Sequence, residues 1–217
     1  MNNISSANLG FEKMEPTWNL FDADQELSVG YRHLPHWEQA GATYFVTFRL
    51  VDSLPQNIIE SWADEARSAD VEAELKPTQN MLLEASHRKL DLHLDNCHGD
   101  CILSDPECAE IVRNTLLHFD KERYWISDLV IMPNHVHLIC TMHSEWSVRK
   151  QCGSWMRYSA NQMNELRGRS GGVWQDEAFD HIVRSEEQLL WLRGYIANNP
   201  IKANLNENEY LMYQHDR

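Results

Sequence analysis

His135-Val136-His137 places two imidazoles one residue apart, directly after the turn-forming run Met132-Pro133-Asn134. On a strand, the period of two puts both imidazoles on one sheet face, roughly 6.8 Å apart at Cα, and turns Val136 toward the other face. Such a pair can share one metal ion, or it can be two half-exposed polar residues on a hairpin. Further along, Tyr195 and Asn199 are four apart in a segment with helical spacing, so they lie one turn from each other on one helix face. An amide carbonyl is a hard oxygen ligand that suits Mg²⁺ or Mn²⁺. Alone, Tyr195 continues the apolar stripe of Leu192 and Ile196 as a core aromatic. Combined with the two histidines, the set describes a divalent ion held by two imidazoles and an amide, with a phenol in reach. That chemistry can stabilise the transition-state charge of a phosphodiester while the phenolic oxygen attacks phosphorus. An unperturbed phenol has a pKa of about 10, so adjacent positive charge favours its reaction at neutral pH.

These residues need a scaffold, and the patterning supplies one. Residues 41–50 (GATYFVTFRL) are dense in β-branched and aromatic side chains and predict a strand. Residues 123–131 and 136–142 are two more strand-like runs, joined through Pro133 and Asn134 as a hairpin. Ser104-Asp105-Pro106-Glu107 opens a helix whose apolar face continues through Ala109, Val112, Leu116 and Phe119. Ser147 opens another, running to about Leu166, and residues 173–183 hold a Trp and a short strand-like end. Ser185 and Gln188 form a capping box for the last helix, which is expected to finish near Asn199 because Pro200 disfavours helical geometry in the residue before it. Alternating strands and helices in this order predict an α+β domain with helices packed on an antiparallel sheet. The expected organisation is an irregular N-terminal arm over residues 1–40, one domain over 41–205 with a helical insertion at about 53–97, and a tail over 206–217.

The 217 residues are enough for one core domain plus an insertion or extension. With 33 acidic and 19 basic residues, the formal charge of −14 argues against a generally basic nucleic-acid coat or an anionic membrane surface. Its distribution matters more than its sum. Residues 1–100 hold 17 acids and 7 bases, whereas Arg149 to Lys202 hold 8 bases against 6 acids. Between Arg149 and Arg169 five bases (Arg149, Lys150, Arg157, Arg167, Arg169) accompany the single acid Glu165, which makes either a phosphate-facing patch or an ordinary solvated helix face.

Apolar runs fall far short of the ~20 residues that a membrane span requires. The N-terminal segment lacks the basic and apolar regions of a secretory signal, so a cytoplasmic location is expected. Cys97, Cys101, Cys108, Cys140 and Cys152 are odd in number and lack CxxC spacing, and are expected to be thiols. The group Cys97, His98 and Cys101 reads either as a small metal site or as incidental thiols in a loop.

Three ordered blocks carry a family resemblance: Met-Pro-Asn-His-Val-His-Leu at 132–138, Trp174-Gln175-Asp176-Glu177 followed by Phe179-Asp180, and Tyr195-Ile-x-x-Asn-Pro-Ile-Lys-Ala-x-Leu205. Together they resemble the REP-associated tyrosine transposases, members of the single-tyrosine HUH group related to the IS200-like transposases, over about Gly41 to Leu205. The resemblance implies a ferredoxin-like antiparallel sheet with helices packed on one face. It implies His135, His137 and Asn199 as ligands of Mg²⁺ or Mn²⁺ and Tyr195 as the catalytic nucleophile. The activity implied is DNA transposition: cleavage and rejoining of single-stranded or hairpin, REP-like DNA through a 5′-phosphotyrosine link, by a monomer or homodimer. The same site without turnover describes a second class, a domesticated hairpin-binding protein. A metal phosphohydrolase using water is a third, disfavoured because no Asp/Glu-rich metal motif accompanies the histidines.

Candidate DNA contacts are Arg149, Lys150, Arg157, Arg167, Arg169, Arg184, Arg193 and Lys202. Trp174 either stacks on unpaired bases or belongs to the core. Relatives often carry a Lys directly after the Trp of the helix that follows the hairpin. Here the run is Trp155-Met156-Arg157, which moves that contact to Arg157 or loses it. Tyr158 is a second candidate nucleophile, but no amide partner matches Asn199 for it.

Overall fold

The computed structural model describes residues 14–31, 35–55, 58, 93, 94 and 96–215. The first elements are β1 (Ser28–Tyr31) and β2 (Pro35–Glu38), followed by β3 (Thr43–Arg49). Then come α1 (Pro106–Leu117), β4 (Tyr124–Ile131), β5 (His135–Met142), α2 (Val148–Leu166), β6 (Phe179–Ile182), α3 (Glu186–Lys202) and β7 (Leu211–Gln214). Strands β3 to β7 form one antiparallel sheet in the order β6-β3-β5-β4-β7, and β1 pairs with β2 in a separate ribbon. The fold is therefore α+β. The succession β3-α1-β4-β5-α2-β6, with β3 and β5 central, has the ferredoxin-like topology.

Each helix start follows its local chemistry. Asp105, Ser147 and Ser185 are the N-caps, accepting from the backbone N–H of Glu107, Lys150 and Gln188 respectively. In the last case the Gln188 side chain accepts from the Arg184 N–H, one residue before the N-cap donor that a capping box uses.

Helices cover both faces of the sheet, a correction to the expectation of one. Helices α1 and α2 pack on Tyr44, Val46, Phe48, Leu129, Ile131, Val136, Leu138 and Cys140. Helix α3 packs Leu189, Leu192, Tyr195 and Ile196 on Phe45, Val130, Met132 and Ile139. Strand alternation explains the division: odd-numbered residues of β5 face α3 and even-numbered ones face α1 and α2. In β4 the parity changes at the bulge between Ile126 and Asp128, which directs Asp128 toward α3. Sheet residues are apolar on both faces, so a second apolar layer is required.

Four further differences have simple causes. The ribbon β1-β2 lies in a segment read as an irregular arm, because its short strands carry too few alternating apolar residues to register. The tail supplies β7, paired to β4 at its outer edge. Helix α3 continues through Pro200 to Lys202. A proline this close to the C-terminus removes a single late backbone donor rather than interrupting a ladder. Cys97 and Cys101 are joined as a disulfide, whereas all five cysteines were expected as thiols; Cys108, Cys140 and Cys152 are free and buried. The expected helical insertion at about 53–97 lies almost wholly outside the described residues. No helix among the described residues is long and apolar enough to cross a membrane.

Candidate active site

Strand β5 begins at His135, so its first and third side chains, His135 and His137, project from the same face, the one covered by α3. Their rings stand 4.7 Å apart between centroids. Helix α3 presents Tyr195 and Asn199 to them from successive turns. Asn199 Oδ1 lies 3.3 Å from His135 Nε2, and the Tyr195 hydroxyl lies 3.2 Å from His137 Nε2. All four side chains are buried, Tyr195 being 5% exposed. Phe45 on β3 supports the pair from below, with its ring 5.5 Å from His137 and 5.8 Å edge-on from Tyr195.

Neighbouring polar groups set the imidazole orientations. The Asn134 amide donates to the Leu94 carbonyl at 2.9 Å, so its Oδ1 faces His135 Nδ1 at 2.7 Å and accepts from it. Burial lowers the His135 pKa to about 4, against a smaller opposing effect of Asn199, so the ring is neutral at pH 7. With its proton on Nδ1, His135 offers a lone pair at Nε2, aimed at Asn199 Oδ1. Two acceptors facing one another need either a cation between them or an Asn199 amide turned to donate. Asn199 Nδ2 is buried without a hydrogen-bond partner. On the other ring, His137 Nδ1 meets the Thr47 hydroxyl at 2.7 Å, leaving Nε2 directed into the cluster. An imidazole oriented through one nitrogen presents the other in a fixed direction, as metal-binding histidines do. The two Nε2 atoms and Asn199 Oδ1 therefore fit a divalent ion. Among the described residues no group of three or more His, Cys, Asp or Glu side chains could hold a metal. The third protein ligand available to an ion here is the Asn199 amide oxygen.

The candidate DNA contacts separate into distinct environments. Arg149, Lys150 and Arg157 line one cleft of about 350 Å³ beside α2, together with His36, Asp176, Glu177 and Asp180. They are exposed, and no carboxylate pairs with them among the described residues. This cleft lies on the α2 side of the sheet, opposite the histidines. Arg167 pairs with Asp105 at 3.3 Å and Arg169 with Asp100 at 2.6 Å, both at the surface. Arg184 lies over the Trp37 ring at 5.2 Å, half-buried. Arg193 is turned inward: its Nε donates to Asp128 at 2.9 Å and its guanidinium to the His215 carbonyl at 2.8 Å. Trp174 is a core residue, edge-on to Phe48 at 4.8 Å and donating to Ser159 Oγ at 2.9 Å, which removes it from base stacking. Lys202 stands at the rim of the site, with its ammonium 5.2 Å from the Tyr195 ring centre. Tyr158 is 58% exposed on α2, on the far side of the sheet from both histidines.

Sequence reasoning did not single out Thr47 and Asn134 as the groups that orient the histidines. Asn134 was visible as the neighbour of His135, but Thr47 becomes a partner only through the strand register that places it opposite His137. It also missed a buried cluster in which His36 Nδ1 meets Asp180 and His36 Nε2 meets Glu177 Oε1 at 2.6 Å. This cluster fastens β2 to the edge strand β6.

No family model matches the chain. An uncharacterized protein of Haemophilus influenzae is 29% identical over 99 residues, covering 35% of this chain and 54% of that protein. The chain thus spans about half the length of the curated relative it matches. Among solved structures, one of a REP-associated tyrosine transposase bound to a REP hairpin is similar at a TM-score of 0.47 and 15% identity, covering 82% of this chain and 76% of that one.

Proposed function

We propose that the chain is a metal-dependent tyrosine transposase that cleaves and rejoins single-stranded or hairpin, REP-like DNA. The observation that carries this reading is the pairing of His135 Nε2 with Asn199 Oδ1 and of His137 Nε2 with the Tyr195 hydroxyl, each within hydrogen-bond reach and with the two imidazole rings 4.7 Å apart, from a strand and a helix far apart in sequence. His135, His137 and Asn199 would hold Mg²⁺ or Mn²⁺, which when bound withdraws charge from a phosphodiester oxygen. Thr47 and Asn134 fix the two imidazoles, and Phe45 and Trp191 confine the phenol ring. The Tyr195 oxygen forms a bond to phosphorus as the bond to the 3′ oxygen breaks. The phenol proton passes to solvent, and the departing 3′ oxygen takes a proton from water. A 5′-phosphotyrosine link and a free 3′-hydroxyl result. Attack by another 3′-hydroxyl reverses the step and joins strands. Arg149, Lys150 and Arg157 supply unpaired positive charge on the opposite face for phosphate contact.

The test uses a labelled hairpin with a single-stranded flank, incubated with Mg²⁺ or Mn²⁺ and resolved on a denaturing gel. A covalent protein–DNA adduct that disappears in Tyr195→Phe is expected. Cleavage that survives Tyr195→Phe without an adduct overturns the reading in favour of hydrolysis by water. Binding without cleavage by the unaltered protein assigns the chain to the non-catalytic hairpin binders.

A further inference from the structure

On its outer side α3 carries an open groove of about 440 Å³, lined by Leu190, Trp191, Gly194, Tyr195, Asn198, Ile201 and Lys202. Soluble surfaces rarely gather apolar side chains without use. Leu190 is 51% and Ile201 72% exposed here, and Trp191 is half-buried between them and the site. The Trp191 ring lies nearly parallel to that of Tyr195, with centroids 5.4 Å apart and planes at 21°. One wall of the groove is thus the side chain that bears the proposed nucleophile.

Two features say what the groove takes. Among the described residues its one charged lining side chain is Lys202, so an acidic protein presents here an apolar floor edged by a cation. That combination matches a nucleotide, with its base on Trp191 and Ile201 and its phosphate toward Lys202. The second feature is Gly194, in the interior of α3. A helix-interior glycine costs about 1 kcal/mol relative to alanine. Among the described residues nothing lies within 4 Å of the position a Cβ would occupy at Gly194, so packing against them does not demand it. A bare position between Trp191 and Asn198 instead keeps the floor clear for a flat ligand.

We infer that this groove binds an unpaired base of the single strand that enters the site, stacked beside Trp191 and Tyr195. The inference rests on the proposed reaction for its substrate class, and it names Trp191 and Gly194 as determinants of strand binding next to the nucleophile.

The experiment compares two fluorescein-labelled DNAs, a blunt hairpin and the same hairpin with a short oligo-dT flank containing 5-iododeoxyuridine. The full chain should bind the flanked hairpin more tightly, and near-ultraviolet irradiation should crosslink the flank to Trp191, located by peptide mass spectrometry. Trp191→Ala should lose the crosslink and weaken flank binding by roughly 5- to 150-fold, the range for one stacked base. Gly194→Leu should weaken it similarly while keeping the helical circular dichroism and melting transition, since the added side chain enters open space. Equal affinity of the unaltered chain for both DNAs overturns the inference. So does unchanged flank affinity in both variants, even if the Tyr195 adduct still forms; in that case the cleavage chemistry stands alone. Loss of flank affinity in both variants without any adduct in the unaltered protein supports the groove and removes the chemistry. If Trp191→Ala instead turns a dimer into a monomer in sedimentation with DNA affinity unchanged, the groove is a self-association surface and the inference fails.

Discussion

Replacing Arg193 with methionine separates two roles for a residue whose sequence context suggests a phosphate contact. In the structure its guanidinium is 16% exposed and pairs with Asp128, which is 0% exposed. Its main-chain carbonyl accepts from Gln214 at 3.2 Å, and its side chain donates to the His215 carbonyl at 2.8 Å. Arg193 therefore ties α3, two residues before the proposed nucleophile, to β4 and to the C-terminal strand. Arg193→Met leaves the Asp128 carboxylate, among the described residues, with Ser127 Oγ and Gln214 Nε2 as donors. Removing one partner of a buried pair costs about 3–5 kcal/mol because the remaining charge stays desolvated. Urea denaturation followed by circular dichroism should show a loss of that size. Changing Asp128 to Asn in the same chain should recover most of it, since no buried charge then remains. A salt titration of hairpin binding should keep its slope, because no phosphate contact has been lost. The reasoning is refuted if Arg193→Met changes stability by less than about 0.5 kcal/mol while the log-log salt slope drops by about one, the signature of a phosphate contact.

Other expectations follow from the same geometry. Thr47→Val removes the group that orients His137, and a 10- to 100-fold loss of Mn²⁺ affinity, read by calorimetry, is the expected size of such an effect. EDTA should abolish the Tyr195 adduct and leave hairpin affinity within about twofold, because the proposed ion serves chemistry rather than grip; a parallel collapse of affinity would contradict this. Leu192→Ala, at the centre of the α3 layer, should cost about 2–5 kcal/mol in denaturant unfolding. The His36 cluster predicts a pH dependence. Burial raises the Asp180 pKa to about 6 against the lowering effect of His36. Burial alone would lower the His36 pKa, but Glu177 and Asp180 outweigh it and raise the value. Both groups hold protons more tightly when folded, so their contribution is complete at low pH and declines as pH rises through about 6 and past the His36 value. Stability should fall as pH rises from about 4, the ordinary Asp value, through about 6, and again above the ordinary histidine range, and Asp180→Asn should remove the first part of that decline.

Much of the architecture was legible in local pattern. Strands β3, β4 and β5, the three capped helix starts and the hairpin turn each announce themselves within a few residues, because alternation, capping and turn chemistry act over short range. Elements with weak local signals escaped notice. Strands β1 and β7 are only four residues long and find their places by pairing, while the extension of α3 past Pro200 depends on how little a late proline disturbs a helix end. The expectation of helices on a single face failed because it took no account of the apolar residues on both faces of β3 and β5, which require a covering layer on each.

The sequence by itself determined which residues can do chemistry: a His-x-His on a strand, and a Tyr and an Asn one helical turn apart. It could not tell that the histidines face α3 and not α2, since that depends on the order of strands and the layer each helix joins. Nor could it sort the cations. By charge alone Arg149 and Arg193 are equivalent, yet one is exposed in a cleft and the other pairs with a buried carboxylate brought to it by a bulge in β4. Spacing along a chain sets which side chains share a face of one element. Which faces meet is decided by burial across the whole fold, and only there did four separated residues become one site.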